Sequence, residues 1–328
     1  MESLIFAFNS VSPIILTVVV GYILKKVGLM NGDFAKSANK LVFRVFLPAM
    51  LFLNVYGIQD LSLVDFGYVL YSVVALVILF LAAIPSVIIL TKKKNCRGAL
   101  LQAVFRSNYA LIGITLSSSV FSSAGAATAT LLSAFTIPVF NTLGVIGLSI
   151  FNNDGEKPNF KKVALGVIKN PLILSIAAGL VALGIRAVFV SADISFRLSN
   201  SPAIFNTLKY LSNVATPLSL LVLGAQFEFS AIPSLKREII AGTVIRSVIV
   251  PLLGIGIAYL AFRNSFGGAQ FAALVAVFCT PVAVSSVPMA QEMGADVELA
   301  GQLVVFTTVS SAVTVFLTSF ILKLVGIF

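Results

Sequence analysis

Long apolar runs separated by short polar segments dominate the chain. Each run is long enough to cross a bilayer as a helix, which takes about 20 residues. They fall at roughly 4–24, 38–57, 66–91, 98–121, 126–151, 163–190, 203–227, 237–262, 268–292 and 298–326. The pattern predicts an all-α polytopic membrane protein of ten transmembrane helices. The second run carries Lys40 and Arg44 near its start and Pro48 halfway along, so a kink or break is expected there. The first run lacks a basic leading region and a small-residue cleavage pattern, so it is expected to stay as the first span rather than leave as a signal peptide.

The ninth run departs most from a smooth helix. From Ala276 to Glu292 it holds Pro281 and Pro288, bracketing Ser285-Ser286. A proline removes a backbone hydrogen bond and clashes one turn back, so the helix is expected to break between these two. Freed backbone groups at membrane depth are tolerated only when buried in protein or lining a cavity, which makes such a break a pointer to a binding site.

Composition agrees with the membrane reading. The 328 residues are 59% hydrophobic and 10% charged with mean hydropathy +1.06, against about 25% charged in soluble domains. The net charge of +10 suggests no nucleic-acid partner, because no basic face with interleaved aromatics exists. The basic residues sit instead in short loops. Lys25, Lys26, Lys36, Lys92, Lys93, Lys94, Arg97, Lys157, Lys161, Lys162, Lys236 and Arg237 fall after odd-numbered helices. After even-numbered helices there are Arg186, Arg197 and Arg263, with Asp60 and Asp65 after the second. Lys and Arg near span ends stay cytoplasmic. Odd-numbered loops are therefore expected inside and both termini outside, in the plasma (inner) membrane.

The chain also resembles itself. Ser12-Pro13-Ile14-Ile15-Leu16 and Gly21 match Asn170-Pro171-Leu172-Ile173-Leu174 and Gly179. Lys40, Pro48 and Leu51 match Lys209, Pro217 and Leu220, and Gly125-Ala126 matches Gly294-Ala295. Two repeats of five helices, 1–155 and 160–328, are expected, joined by a polar link from Asn152 to Lys162. Five is odd, so the second repeat is inverted, as in many secondary transporters. Helix 4 then partners helix 9. It carries Arg106-Ser107-Asn108-Tyr109, Gly113 and Thr115, followed by Ser117-Ser118-Ser119. Half-helix N-termini meeting at midplane favour an anion, with Asn108, Thr115, Thr280, Ser285 and Ser286 as neutral hydrogen-bonding groups. The same residue types also serve close helix packing and back-bonding to carbonyls.

Asn54, Asn141 and Gln226 are polar residues inside spans, expected either to line the site or to bridge helices. Arg106 and Arg246 are the charges nearest to span interiors; each is either functional or snorkels to an interface. Glu228 and Glu292 fall at span ends and are expected to face water. With no histidine, neither a Ser-His-Asp triad nor a His-ligated metal exists. There is no P-loop, and Cys96 and Cys279 provide neither a disulfide framework nor metal spacing. No enzyme and no cofactor are expected. Acidic residues are confined to loops and span ends, which disfavours a cation substrate, although Na⁺ or H⁺ coupling stays open.

Several stretches together resemble the auxin efflux carrier family, which includes plant auxin carriers and bacterial malonate and malate carriers. They are Leu47-Pro48, Arg106-Ser107-Asn108-Tyr109 with Gly113, Pro138-Val139-Phe140-Asn141, Asn170-Pro171-Leu172, Leu223-Gly224-Ala225, Arg246 with Pro251, and Pro281 through Gly294. The resemblance implies an inverted five-plus-five fold like that of sodium/bile acid symporters, with crossing helices 4 and 9. It implies a scaffold of helices 1, 2, 6 and 7, a transport part of helices 3–5 and 8–10, and a homodimer. Elevator-type movement of a small organic anion, such as a carboxylate, follows from it. The implied site comprises Asn108 and the segment from Pro281 to Ser286, with Tyr109 beside it. A Na⁺-coupled symporter of bile-acid type is the alternative within transport. A ligand-binding membrane sensor is the alternative outside it, for which an appended soluble domain would be the mark. The chain departs from the family in having no proline in helix 4 near Thr115. Helix 4 is therefore expected to be only slightly distorted around Gly113, and helix 9 to carry the fixed break between Pro281 and Pro288.

Overall fold

Helices form where the apolar runs predict them, and short polar residues start several of them. The computed structural model describes residues 2–58, 65–151 and 160–328. Asp60, Lys157 and most of the expected link between repeats lie outside the described residues. The helices are α1 (Glu2–Lys26), α2 (Gly32–Leu41), α3 (Leu47–Tyr56), α4 (Phe66–Leu90), α5 (Lys94–Phe105), α6 (Ile114–Phe151) and α7 (Phe160–Ile168). They continue as α8 (Pro171–Ser191), α9 (Pro202–Gln226), α10 (Ile232–Val244), α11 (Val250–Phe262), α12 (Gly268–Cys279), α13 (Ser286–Glu292) and α14 (Val297–Leu324). Asn31, Asp65, Asn170 and Asp296 cap α2, α4, α8 and α14 by accepting a backbone N–H in the first turn, which satisfies donors a helix start leaves free. Pro171 follows its cap at the first helical position, where the missing N–H costs nothing.

Among the described residues, seven helical segments are long and apolar enough to span a membrane: Gly32–Tyr56, Phe66–Leu90, Ser123–Phe151, Pro171–Ser191, Pro202–Gln226, Phe229–Phe262 and Val297–Leu324. Tyr109–Phe121 and Gly268–Cys279 are shorter apolar helices. Large apolar side chains cover the outer surface; Ile89 and Leu260 are 77% and 80% exposed. Such a surface is stable only against lipid.

Two spans widen into a π-helical turn ahead of a proline, Val42–Phe46 before Pro48 and Ile245–Ile249 before Pro251. The wider turn accommodates a position where the α-helical hydrogen bond cannot form. Pro48 thus bends the second span without ending it. The loop expected at 122–125 is helical instead. A Cβ on Gly125 would nevertheless lie 2.1 Å from the Ser117 carbonyl oxygen. Eight residues of straight helix rise about 12 Å, so the chain doubles back there, and Gly125 is what allows it.

Packing falls into two groups of neighbours. In one, α1 and α2 pack on α9, and α3 packs on α8 and α9. Gly21 and Gly224 bring α1 and α9 together so closely that a Cβ at Gly224 would lie 1.9 Å from the Val18 carbonyl oxygen, the small-residue contact by which membrane helices associate. In the other, α12 packs along α6, α11 and α14, and α5 packs against α4, α6 and α14.

Candidate functional site

Both expected partners are broken. Helix 9 runs as α12 to Cys279, is extended from Thr280, and resumes as α13 at Ser286. Pro288 is not part of the interruption; it occupies the first turn of α13, where a proline displaces no needed donor. Helix 4 is interrupted as fully as helix 9, contrary to expectation. α5 stops at Phe105, Arg106 to Asn108 are non-helical, and the chain re-enters through a π-helical turn at Tyr109–Gly113. Gly113 is therefore not the break: it makes room for the Tyr109 ring, which a Cβ would meet at 2.9 Å.

The two breaks satisfy each other. Ser107 and Val282 form an antiparallel bridge, and the Asn108 N–H donates to the Pro281 carbonyl at 2.8 Å. Ser107 Oγ and Thr280 Oγ1 lie 2.8 Å apart, and the Val282 N–H donates to Thr307 Oγ1 of α14 at 3.1 Å. Backbone groups that no helix uses must be paired in a bilayer. Here Asn108 finds its acceptor across the crossing and Val282 finds its own on α14.

An arginine flanks the crossing on each side, and both are 1% exposed. Neither snorkels. Arg106 Nη1 donates to Gln102 Oε1 at 2.7 Å and to the Met289 thioether, and Nη2 donates to Asn141 Oδ1 and Ser285 Oγ, both at 2.8 Å. Every acceptor is neutral. Arg246 Nε donates to the Thr280 carbonyl at 2.8 Å, Nη2 to the Val277 carbonyl at 3.1 Å and Nη1 to the Val104 carbonyl at 3.5 Å. These are the C-terminal ends of α12 and α5, which carry partial negative charge. Among the described residues neither arginine has a carboxylate partner.

A cavity of about 40 Å³ opens at the crossing, lined by Arg106, Asn108, Tyr109, Asn141 and Ser285 from one side and by Met50, Thr216 and Ser219 from the other. That is room for about three water-sized groups. Asn108 Nδ2 is buried beside it with no acceptor, as is Ser286 Oγ behind it. Asn108, Tyr109, Asn141 and Ser285 are thus brought together at the cavity. Thr280 and Pro281 form the wall of the crossing without lining the cavity. Thr115 is not brought in: it is exposed and donates to the Ile112 carbonyl within its own turn. Asn54 on α3 is half-buried and does not line the cavity either. Gln226 bridges helices, sharing a seam with Asn39 of α2 and Gln291 of α13. Glu292 pairs with Arg44, and Glu228 with Lys25. Among the described residues no cluster of His, Cys, Asp or Glu is arranged to hold a metal.

Apolar helices broken at paired points around buried, unpaired cations put the chain among multi-pass membrane transport proteins. Comparison with known families gives the same class and narrows it. The family profile described as membrane transport protein matches residues 6–319, and the chain belongs to that family, the auxin efflux carriers that its motifs resemble. It is also similar to an uncharacterized transporter of Methanothermobacter thermautotrophicus (strain Delta H), 26% identical over 335 aligned positions covering 96% of this chain and 98% of the relative.

Proposed function

We propose that the protein is a secondary carrier of a small organic anion, whose carboxylate binds in the cavity where the two helix breaks cross. The observation that carries this reading is Arg106. A guanidinium buried among neutral acceptors carries a desolvation cost that only an opposite charge offsets well. The space beside it is bordered by the unused amide of Asn108. In this reading Arg106 and Asn108 hold the carboxylate, with Ser285, Asn141 and Tyr109 shaping the pocket. Thr280 and Pro281 keep the crossing in register, and Ser286 lies behind it.

The movement we propose is of elevator type within ten spans arranged as two inverted repeats, 1–155 and 160–328, in the plasma membrane with both termini outside. Supporting it, the cavity lies between the two groups of packed helices, with Met50, Thr216 and Ser219 on one wall and the crossing on the other. Beyond the cavity the two groups meet where α1 packs on α14, and through a polar seam in which Asn39 of α2 donates to Gln291 of α13 and Arg44 pairs with Glu292. Hydrogen bonds and an exposed ion pair are contacts that water readily replaces. That polar part of the boundary is the part suited to sliding. Helices 1, 2, 6 and 7 would then be the scaffold, also the surface for a homodimer, and helices 3–5 and 8–10 the moving part.

The test is uptake of labelled mono- and dicarboxylates into liposomes holding the purified protein. Saturable uptake of at least one carboxylate is expected, and Asn108→Ala combined with Ser285→Ala should raise KM by at least about tenfold, two hydrogen bonds to a charged group being worth several kcal/mol. Saturable uptake with unchanged KM in that double variant would remove the cavity from the mechanism.

A further inference from the structure

The carbonyl cluster around Arg246 is organised like a cation site. Its oxygens come from the ends of two half-helices, Val104 in the last turn of α5, and Val277 with Thr280 at the close of α12. Each helix end carries roughly half a negative charge, so the two together present about one. One guanidinium cancels that charge, and its planar fork reaches all three carbonyls. Converging carbonyls and half-helix C-termini are also what coordinates Na⁺ in carriers with discontinuous helices. Arg246 enters from the π-helical turn Ile245–Ile249, whose widened backbone precedes Pro251 and holds the side chain inward at 1% exposure.

We propose that this cluster is a monovalent cation site occupied by the protein's own side chain. Arg246 is a tethered cation that replaces a coupling ion, so anion transport proceeds without Na⁺. Emptying the site turns transport into a process dependent on an added cation. The inference rests on reading the crossing as a carrier site, but the cation site itself is readable without transport. An arginine that only caps two helix ends would lower stability by an amount that no salt restores. A tethered ion leaves behind a vacancy that a free ion fills.

The experiment uses the full-length protein in detergent and in liposomes, with NaCl, KCl and choline chloride compared at one ionic strength and a clamped membrane potential. Wild-type uptake of a transported carboxylate should be equal within about twofold in the three salts, and Arg246→Lys should keep that salt independence. In Arg246→Ser, Na⁺ or K⁺ should raise uptake at least about fivefold over choline, the lower end of ordinary site-to-site coupling. The same cation should raise that variant's melting temperature saturably, by mass action on the folded state, and leave the wild type unmoved. Wild-type uptake that fails in choline would overturn the proposal. So would an Arg246→Ser protein whose melting temperature and uptake are equally depressed in all three salts. If Arg246→Ser yields no folded protein, Arg246→Lys decides: Na⁺-dependent uptake in that variant counts against a tethered charge, and salt-independent uptake counts for it. If no carboxylate is transported at all, the carrier reading fails, while the salt dependence of melting still reports on the cation site.

Discussion

Two arginines stand on opposite sides of one crossing, equally buried, and their surroundings differ in sign. Arg246 faces carbonyls at two helix C-termini, whose summed dipoles nearly cancel its charge. Arg106 faces an amide oxygen from Gln102 and another from Asn141, a hydroxyl and a thioether, none of which carries a formal or helix-end charge. The first charge is balanced within the protein, and the second is not. Burial alone therefore does not tell the two arginines apart; the charge of what each touches does.

The sharpest way to break that comparison is to remove each charge with little change in length. Arg106→Met should cost anion binding at least about 30-fold, the lower end for truncating a buried charged hydrogen-bonding partner, measured as KM for uptake. Its melting temperature should barely fall, because an unbalanced buried charge leaves with it. Arg246→Met should do the reverse, leaving three carbonyls without donors and lowering stability by about 2–3 kcal/mol, read by thermal unfolding in detergent. If both variants lose stability alike, the distinction between the two sites is void.

A somewhat smaller effect should follow from giving Arg106 the partner it lacks. Asn141→Asp would place a carboxylate where a neutral oxygen now accepts from Nη2 at 2.8 Å. An internal ion pair would compete with the substrate, so uptake should fall by about tenfold or more while the melting temperature rises, an ion pair in place of a neutral hydrogen bond adding about 1 kcal/mol. Faster uptake in this variant would mean that Arg106 does not bind the transported anion.

The smallest effects concern the breaks themselves. Helix 4 is interrupted with no proline, held open by pairing to helix 9, so the pairing rather than Pro281 should maintain both interruptions. Pro281→Ala is expected to cost about 1 kcal/mol or less, chiefly through a more flexible unfolded chain, with uptake within about threefold of the parent. Thr115→Ala and Asn54→Ala, outside the cavity, should change stability by no more than about 0.5 kcal/mol and leave KM alone. A loss of transport in Pro281→Ala as large as in Arg106→Met would reinstate the proline as the cause of the break.

Much of the fold was legible because hydropathy and local breakers are local signals. Pro281 announced the interruption of helix 9, whereas the sixth run, 163–190, is split at Asn170 into α7 and α8. The break in helix 4 was misplaced toward Gly113 and Thr115 and judged slight, because its cause is not in helix 4. Ser107 and Asn108 leave the helix to pair with Val282 and Pro281, far along the chain. Pro288 was misread for the opposite reason: a proline in the first turn of a helix looks in sequence like a proline within one. The sequence alone leaves Arg106 and Arg246 between snorkelling and function, since a shift of one turn in a span boundary changes the answer. What decides it is the surrounding carbonyls and amides, supplied by three or four other helices. Gln226, open between site and bridge, could be resolved only by locating Asn39 and Gln291.

The bridge at the crossing also says something about the order in which the protein is made. Ser107 and Thr280 are separated by 173 residues, so the first break reaches the membrane long before its partner is synthesised. Until then the Asn108 amide has no protein acceptor across the crossing, in a medium where each unpaired group costs several kcal/mol. The nascent first half must meanwhile keep helix 4 helical, or hold it toward the aqueous interface. The candidate site is then the last part of the molecule to exist, complete only when helix 9 arrives.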